Sequence, residues 1–170
     1  MAQVNTVAHS LKWGIIATLS LVIFNIIIYI LGFYHNWALG MLYLPIFFFF
    51  VLWAIKSYRD SNGTLSIGQG LLIGLSVGLL SGLFLGIYNY VLLTMIDPNL
   101  YIESTEAAVE MVIKMGGDEE MAEAIMDEAE KNPPSLLKNV LGSFAVQGFV
   151  GFIFALIPAF IYKREHASKY

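Results

Sequence analysis

Residues 97–139 are rich in acidic side chains and methionine thioethers. Carboxylates cluster at 118–120 and again at 127–130, and carboxylate oxygens are ligands that Ca²⁺ and Mg²⁺ accept. Thioether sulfur is a soft ligand that suits Cu(I). No D-x-D-x-D-G loop is present and methionine commonly fills an apolar helix face, so we expect a solvated, charged helix surface here and no metal site. The methionines of the segment are Met111, Met115, Met121 and Met126.

Groups for acid–base, nucleophilic or phosphate chemistry form no known motif. Cysteine is absent from the 170-residue sequence, which excludes thiol catalysis, disulfides and thiolate metal sites. The histidines at His9, His35 and His166 are scattered, without H-E-x-x-H or similar spacing. There is no G-x-S-x-G elbow, no P-loop and no basic groove for nucleic acid. We therefore expect a non-enzymatic protein without catalytic residues, cofactor, metal or nucleic-acid partner.

Three uncharged amides stand out because each lies in a long apolar stretch: Asn25, Asn89 and Gln147. An amide in an apolar environment needs a hydrogen-bond partner. The three side chains therefore either bond between helices or line a small polar cavity. We place no Lys, Arg, Asp, Glu or His inside the apolar stretches, which argues against a proton pump or an ion-coupled carrier.

Glycine recurs at every fourth position of GLLIGLSVGLLSGLFLG, residues 70–86. Each glycine costs about 1 kcal/mol relative to alanine in a helix interior, so five in register need a reason. Small residues four apart let helix backbones approach closely in lipid, which predicts a packing seam within the chain or between copies. Four residues advance a helix by about 40° beyond one turn, so we expect that one straight partner would not contact the whole row. The row is Gly70, Gly74, Gly78, Gly82 and Gly86.

Four long apolar stretches position these groups. Hydrophobic residues make up 58% of the chain and charged residues 13%, against roughly 45–50% and about 25% in soluble domains. The stretches cover about 13–33, 37–55, 67–96 and 140–162, and each meets the roughly 17–25 residues that cross a bilayer. Helices satisfy their own backbone hydrogen bonds in lipid. We therefore predict an all-α polytopic membrane protein, with four transmembrane helices in a single domain over residues 1–170.

Charge asymmetry predicts the orientation. Four spans place both termini on one side of the membrane, together with a loop at 56–66. The opposite side carries only three lysines among many carboxylates. Because Lys and Arg favour the cytoplasmic side, we expect both termini in the cytoplasm of a cell inner (plasma) membrane. The basic residues on the terminal side are Lys12, Lys56, Arg59, Lys163, Arg164 and Lys169.

Residues 97–139 form an acidic insert between the third and fourth stretches. Apolar residues recur at helical spacing over about 103–115 and about 118–131, with Gly116-Gly117 between the two runs and Pro133-Pro134 after the second. We predict an acidic extracytoplasmic helical hairpin. The residues expected to form an interaction surface on it are Glu119, Glu120 and Glu123.

Several short motifs occur in a characteristic order. Trp13-Gly14 opens the first span, LSIGQG at 65–70 leads into the third, and IDPNLYIE at 96–103 follows it. Within LSIGQG, Ser66 and Gln69 fit the S-x-x-Q capping box that begins a helix. With these motifs the chain resembles, over nearly its whole length, a family of small bacterial membrane proteins, frequent in Bacteroidetes and classed as a domain of unknown function (DUF4199). The resemblance implies a bacterial inner-membrane protein and assigns no substrate or catalytic residue.

The sequence favours a non-enzymatic integral membrane interaction or accessory protein. Its expected partners are the lipid bilayer and, in addition, either itself as a homo-oligomer or another membrane or extracytoplasmic protein. The alternative is a small transporter or channel-like oligomer in which the three amides face a cavity. A weaker alternative is an extracytoplasmic metal-handling protein that uses the methionines or carboxylates of the insert.

Overall fold

The computed structural model describes residues 4–164, so His166 and Lys169 lie outside the described residues. Within this range the chain is helical and has no β-strand, which confirms the predicted all-α class. The α-helices are α1 (Thr6–Ile30), α2 (Trp37–Gly40), α3 (Tyr43–Asn62), α4 (Ile67–Val91), α5 (Asn99–Lys114), α6 (Glu119–Lys131) and α7 (Leu136–Ile161).

Four helical segments are long and apolar enough to cross a membrane. They are Thr6–Ile30, Ala38–Asn62, Ile67–Ile96 and Leu136–Ile161. Large apolar side chains are exposed along their outer faces, for example Leu19 on α1 and Phe149 on α7. Apolar surface of this extent requires an apolar solvent. The predicted multi-pass membrane protein with four spanning helices is confirmed by the length and composition of these segments.

Short polar residues begin the helices. Ser66 forms the predicted capping box with Gln69: the Gln69 N–H donates to Ser66 Oγ at 3.2 Å and the Ser66 N–H donates to Gln69 Oε1 at 2.9 Å. Asn5, Asp118 and Ser135 cap α1, α6 and α7 by the same side-chain-to-backbone chemistry. The helix starts therefore follow from local sequence.

The second span begins and ends differently from the expectation. A turn separates α2 from α3, and Pro45 lies in the first turn of α3, where a missing N–H breaks no helical hydrogen bond. At its other end, α3 runs to Asn62, so residues 56–62, which were expected in a loop, are helical. Gly63 ends the helix with a φ of +72°, the left-handed conformation that glycine adopts without strain.

Helix α4 occupies the centre of the bundle. It contacts α7, α1 and α3, and α3 in turn contacts α1 and α7. In the 18-residue apolar stretch of the third spanning helix, which contains α4, half of the residues are buried, against 22% in that of α1. An antiparallel pair of backbone hydrogen bonds of 2.9 Å between Leu65 and Arg164 joins the α3–α4 loop to the end of α7. This end of the bundle, which also holds the start of α1, is the terminal side; the other end is the α5–α6 side.

His9 lies inside the bundle. Helix α1 begins at Thr6, and His9 is 8% exposed. Its Nε2 lies 2.9 Å from the Ala54 carbonyl oxygen and 3.2 Å from the Ser57 hydroxyl, both on α3. His9 precedes the first apolar stretch, about 13–33, and the structure extends the first spanning helix back to Thr6, so that it includes His9. The apolar pattern placed the start of the helix too late because polar groups of α3 satisfy this side chain.

All five glycines of the row on α4 face α7. A Cβ added at any of them would come closer than 3.0 Å to an atom of α7, so the two backbones are in direct contact along the row. This contact is the α4–α7 seam. The facing pairs are Gly70 with Ala159, Gly74 with Ala155 and Gly151, Gly78 with Gln147, Gly82 with Ser143, and Gly86 with Val140 and Asn139.

The expectation that one partner would not contact the whole row is wrong. Helix α7 presents its own row at four-residue spacing, so both rows follow the same inclined line around their helices. Two helices whose i, i+4 ridges are aligned pack along that line. The seam is thus formed within one chain. The α7 row is Asn139, Ser143, Gln147, Gly151, Ala155 and Ala159.

Helix α4 leads into the acidic insert through an irregular turn. Residues Leu92–Ile96 form a π-helical turn, a form that is rare and often found near functional sites. Helices α5 and α6 then contact each other. The Tyr101 hydroxyl of α5 donates to the carbonyl oxygens of Ala129 and Asn132 at 3.2 and 3.3 Å, which fixes the far end of α6 to the start of α5.

Two hydrogen bonds attach α5 and the turn before it to the end of α1 and the connection that follows α1. The Tyr29 hydroxyl donates to Asp97 Oδ2 at 3.1 Å. The His35 Nε2 lies 3.0 Å from Glu103 Oε2. The start of the insert is therefore held to the end of the bundle at Asp97 and Glu103.

The seam predicts opposite effects for two glycine substitutions in α4. Gly78→Ala should lower the free energy of unfolding by about 1–3 kcal/mol, because its Cβ would collide with the Gln147 carbonyl. Gly68→Ala, where a Cβ meets nothing within 4 Å, should be neutral or stabilising by up to about 1 kcal/mol. Unfolding in mild detergent measures both. Equal effects of the two substitutions would contradict a backbone-to-backbone seam.

Candidate functional site

The three amides singled out in the sequence line one cavity. Asn25 comes from α1, Asn89 from α4 and Gln147 from α7, and the cavity between them has a volume of about 550 Å³. We refer to it as the amide cavity. Cavities of about 300–1,000 Å³ are typical of small-molecule sites. The structure therefore brings together three polar groups that are 58 to 122 positions apart in sequence.

Hydroxyl groups complete the polar part of the wall. They belong to Tyr34 in the connection after α1, Tyr43 on α3 and Ser143 on α7. Phe24, Ile28, Leu85 and Val146 supply apolar surface. Among the described residues that line the cavity none carries a charge, so the wall offers hydrogen-bond donors and acceptors without a charged group.

Glycines create the empty space. Gly82 lines the cavity where the α4–α7 seam runs past it, and Gly40 and Gly142 line it from the sides. A Cβ at Gly40 or Gly142 would meet no atom within 4 Å. Because no side chain projects from these positions, the cavity reaches the backbone of α2 and α7.

Gln147 is the most deeply buried of the three amides, with 5% of its surface exposed. Its Nε2 has no hydrogen-bond partner of ordinary geometry among the described residues, although its amide lies within interaction range of the Tyr43 hydroxyl. A buried donor without a partner costs about 1–3 kcal/mol. Asn25, by contrast, donates from Nδ2 to the Leu21 carbonyl of its own helix at 2.8 Å.

The bundle closes directly below the amide cavity. One turn from Asn25 towards the terminal side, Leu21 is fully buried, and one turn from Tyr43 in the same direction, Phe47 is fully buried. Val51 and Val77 continue this packed core. The cavity is therefore confined to the half of the bundle on the α5–α6 side.

Tyr34 lies outside the spanning helices, at the upper edge of the amide cavity. It is half-buried, and burial raises the pKa of its phenol above the ordinary value. The side chain is therefore a neutral hydroxyl throughout the physiological pH range.

The other predicted residues lie elsewhere. Glu119, Glu120 and Glu123 are exposed on α6, away from the amide cavity, and within residues 4–164 they form no ion pair. On α5, the Lys114 ammonium 2.7 Å from Glu110 lowers the pKa of that exposed carboxyl. No group of three His, Asp or Glu that could hold a metal ion occurs in residues 4–164.

Sequence reasoning missed the partner row on α7 and the hydroxyl groups of the cavity. The α7 row was detectable, because Gly151, Ala155 and Ala159 repeat the four-residue spacing of the row on α4. Ser143 was detectable as well, since it lies one turn before Gln147 on the same helix face. Tyr34 gave no signal, because a tyrosine beside an apolar span is usual at a membrane interface.

Comparison with known protein families shows to which family the chain belongs. A family model described as "Protein of unknown function (DUF4199)" matches residues 12–164. The chain belongs to the DUF4199 family. The resemblance inferred from the motifs is thereby confirmed for the family. No curated protein and no solved structure matches the chain.

The DUF4199 match includes all three amides, the glycine row and both helices of the insert. The family is described without a ligand or a reaction. The geometry of the cavity and of the surfaces around it therefore carries the functional information for this DUF4199 protein.

The unpartnered amide predicts an unusual stability effect. Gln147→Met should leave the free energy of unfolding unchanged or raise it by up to about 1 kcal/mol, because methionine removes a buried donor without a partner at similar length. The matched control is Thr18→Val, which deletes a buried hydroxyl that donates to the Gly14 carbonyl at 2.7 Å and should cost about 1 kcal/mol. Unfolding in mild detergent is the measurement. A loss above about 2 kcal/mol for Gln147→Met would mean that the amide holds the helices together.

Proposed function

We propose that this DUF4199 protein is a non-enzymatic membrane accessory protein that binds a small uncharged polar molecule in the amide cavity. The observation that carries the proposal is the convergence of Asn25, Asn89 and Gln147 on one cavity of about 550 Å³. An amide placed in an apolar helix is expensive unless it is bonded. The Nε2 of Gln147 makes no hydrogen bond of ordinary geometry among the described residues, which supports a bound molecule as a better acceptor than the nearby Tyr43 hydroxyl.

The uncharged lining supports an uncharged ligand. An ion that enters a site without a counter-charge loses its hydration and gains no ion pair, which costs several kcal/mol. A polyol, amide or similar molecule exchanges hydrogen bonds with water for hydrogen bonds with the amides and hydroxyls of the wall. The apolar residues Phe24, Ile28 and Leu85 would contact its carbon atoms.

The closed lower half of the bundle favours binding over passage. Below the amide cavity the core is packed around Leu21, Phe47 and Val77, each fully buried. A channel-like role requires a polar path through this region, whereas a binding site open towards one side does not. The glycine row also supports this reading, because it is occupied by α7 of the same chain and is not free to join a second copy.

A second candidate function uses the exposed acidic surface of α6. Glu120 and Glu123 line a shallow depression of the insert together with Asp127 and Glu130, and Glu119 adjoins it in sequence. Asp127 pairs with Lys131 on the same helix, whereas Glu120, Glu123 and Glu130 form no ion pair within residues 4–164, and such exposed carboxylates favour a basic partner by complementarity. In this role the insert would recruit an extracytoplasmic or membrane protein, and ligand binding in the cavity would accompany that interaction.

The binding proposal predicts ligand-dependent stabilisation. Acetamide, urea, glycerol and glucose are the uncharged probes, and acetate and ethylammonium are charged probes of similar size. At least one uncharged probe should raise the unfolding temperature of the protein in mild detergent, by mass action on the folded state, while the charged probes should not. Intrinsic tryptophan fluorescence reports the unfolding temperature.

Two isosteric substitutions separate binding from general solvent effects. Asn89→Leu should abolish the stabilisation, because it removes a cavity amide. Thr94→Val should preserve it, because the Thr94 hydroxyl donates to the Tyr90 carbonyl within the same helical segment at 2.7 Å and lines no described cavity. The proposal fails if every uncharged probe shifts the original protein and Asn89→Leu by the same amount.

We further propose that both termini are cytoplasmic and that the insert is extracytoplasmic in a cell inner membrane. The excess of basic residues on the terminal side, such as Lys56 and Arg59, supports this orientation. The closely spaced carboxylates of α6 support an aqueous location for the insert.

The orientation predicts the labelling of single cysteines, which the cysteine-free chain allows. In intact cells an impermeant thiol reagent should modify Glu123→Cys on α6. It should modify Ser61→Cys, near the end of α3 on the terminal side, only after the cells are opened. Both positions are exposed, so accessibility within the protein is matched. The reverse pattern would place the insert in the cytoplasm.

A further inference from the structure

A second cavity adjoins the amide cavity beneath α5 and α6. It has a volume of about 500 Å³ and shares Tyr34 and Asn89 with the amide cavity as common wall. We refer to it as the vestibule. Its other walls come from α5, α6 and the start of α7, including Ser104, Glu128 and Lys138. The vestibule therefore lies between the amide cavity and the insert.

The vestibule carries one charge of each sign, separated by an amide. Asn132 Nδ2 donates to Glu128 Oε1 at 2.8 Å, and Lys138 Nζ donates to Asn132 Oδ1 at 2.9 Å. Glu128 and Lys138 form no salt bridge with each other; the Asn132 side chain lies between them and is hydrogen-bonded to both. All three residues line the vestibule.

Tyr34 lies at the junction of the two cavities. It belongs to the short connection between α1 and α2, in which Gly32 adopts a φ of +72°. The neighbouring His35 contacts Glu103 of α5 at 3.0 Å, and the two rings of Tyr34 and His35 pack edge to face. The position of the phenol ring is thus determined by a connection that is attached to the insert.

We propose that Tyr34 closes the amide cavity against the vestibule and that the vestibule admits solutes without net charge, zwitterions included. A solute with a single charge is attracted by one of Glu128 and Lys138 and repelled by the other, and then meets an uncharged cavity. A solute with one charge of each sign pairs with Lys138 and Glu128 together, and an uncharged solute avoids the loss of hydration that a single charge meets in the cavity. This inference rests on the proposed function in one respect, which is the identity of the molecule that occupies the amide cavity.

The experiment measures how fast a thiol inside the amide cavity reacts. Ser143→Cys places the only thiol of the full-length protein in the wall of the cavity, and Gly142→Cys is a second position where an added side chain meets open space. The protein is reconstituted in liposomes. The probes are methanethiosulfonates that carry an uncharged hydroxyethyl, a cationic trimethylammonioethyl or an anionic sulfonatoethyl group. Each rate is divided by that of the same probe with free 2-mercaptoethanol.

Substitution of Tyr34 tests the closure. Tyr34→Ala should raise the rate of the hydroxyethyl probe about tenfold and Tyr34→Trp should lower it about tenfold, each equivalent to roughly 1.4 kcal/mol. The control Ser20→Cys, on α1 and outside every described cavity wall, should not respond to Tyr34. Rates at both cavity positions that are independent of the size of residue 34 would overturn the closure.

Neutralising one vestibule charge tests the selection. Glu128→Gln should favour the anionic probe and Lys138→Gln the cationic probe, each by about three- to tenfold, whereas both charged probes should be slower than the uncharged one when both charges are present. Charged probes that react as fast as the uncharged one in the presence of both residues would overturn the selection. If the labelling rate depends on residue 34 but no probe stabilises the protein, the access route stands and the proposed binding function is rejected. If a probe stabilises the protein but the labelling rate does not depend on residue 34, the binding function stands and the access route is rejected.

Discussion

The contact between the backbones of α4 and α7 determines where every other part of the bundle can lie. The five glycines of α4 project no side chain into the interface, and a Cβ at any of them would collide with α7. In lipid, dispersion contacts and interhelical hydrogen bonds take the place of the hydrophobic effect between helices, so close approach is the main source of stabilisation. Helices α1 and α3 then pack on α4 and α7. The seam also brings Gln147 to the level of Gly78 and Gly82, which places its amide at the edge of the cavity.

The two halves of the bundle have different roles because their side chains differ. On the terminal side the core is apolar and closed, with Val51, Ile55 and Ile73 fully buried. On the α5–α6 side, glycines and amides leave a polar space, and residues of the insert line the pocket next to it. The terminal half is therefore a packed apolar core, and the other half contains the polar cavity. Loops and helix ends held by a rigid scaffold commonly carry function. Hydrogen bonds at Asp97 and Glu103 attach the start of the insert to the end of α1 and the connection that follows it.

Hydropathy and local capping made the spanning helices and the capping box at Ser66 predictable from the sequence, because both depend on neighbouring residues. The partner of the glycine row was not predicted, since it depends on the register between α4 and α7, and register becomes clear only when the small residues of α7 are read as a second row. Asn25, Asn89 and Gln147 were identified as polar groups. Their convergence required the rotation of three helices about their axes, which no local pattern specifies. The start of α1 ahead of the first apolar stretch was not predicted, because the polar partners of His9, Ala54 and Ser57, belong to another helix.

The order of the helices along the chain has a consequence for biogenesis. Chains emerge from the ribosome N-terminus first, at about 5–20 residues per second, so α4 enters the bilayer several seconds before α7 has been synthesised. During that interval the glycine groove of α4 has no partner from its own chain and faces either lipid or the insertion machinery. The insert between the two helices sets the length of the delay. A nascent chain that stalls in this segment would present the uncovered glycine row of α4 to any neighbouring helix with small residues.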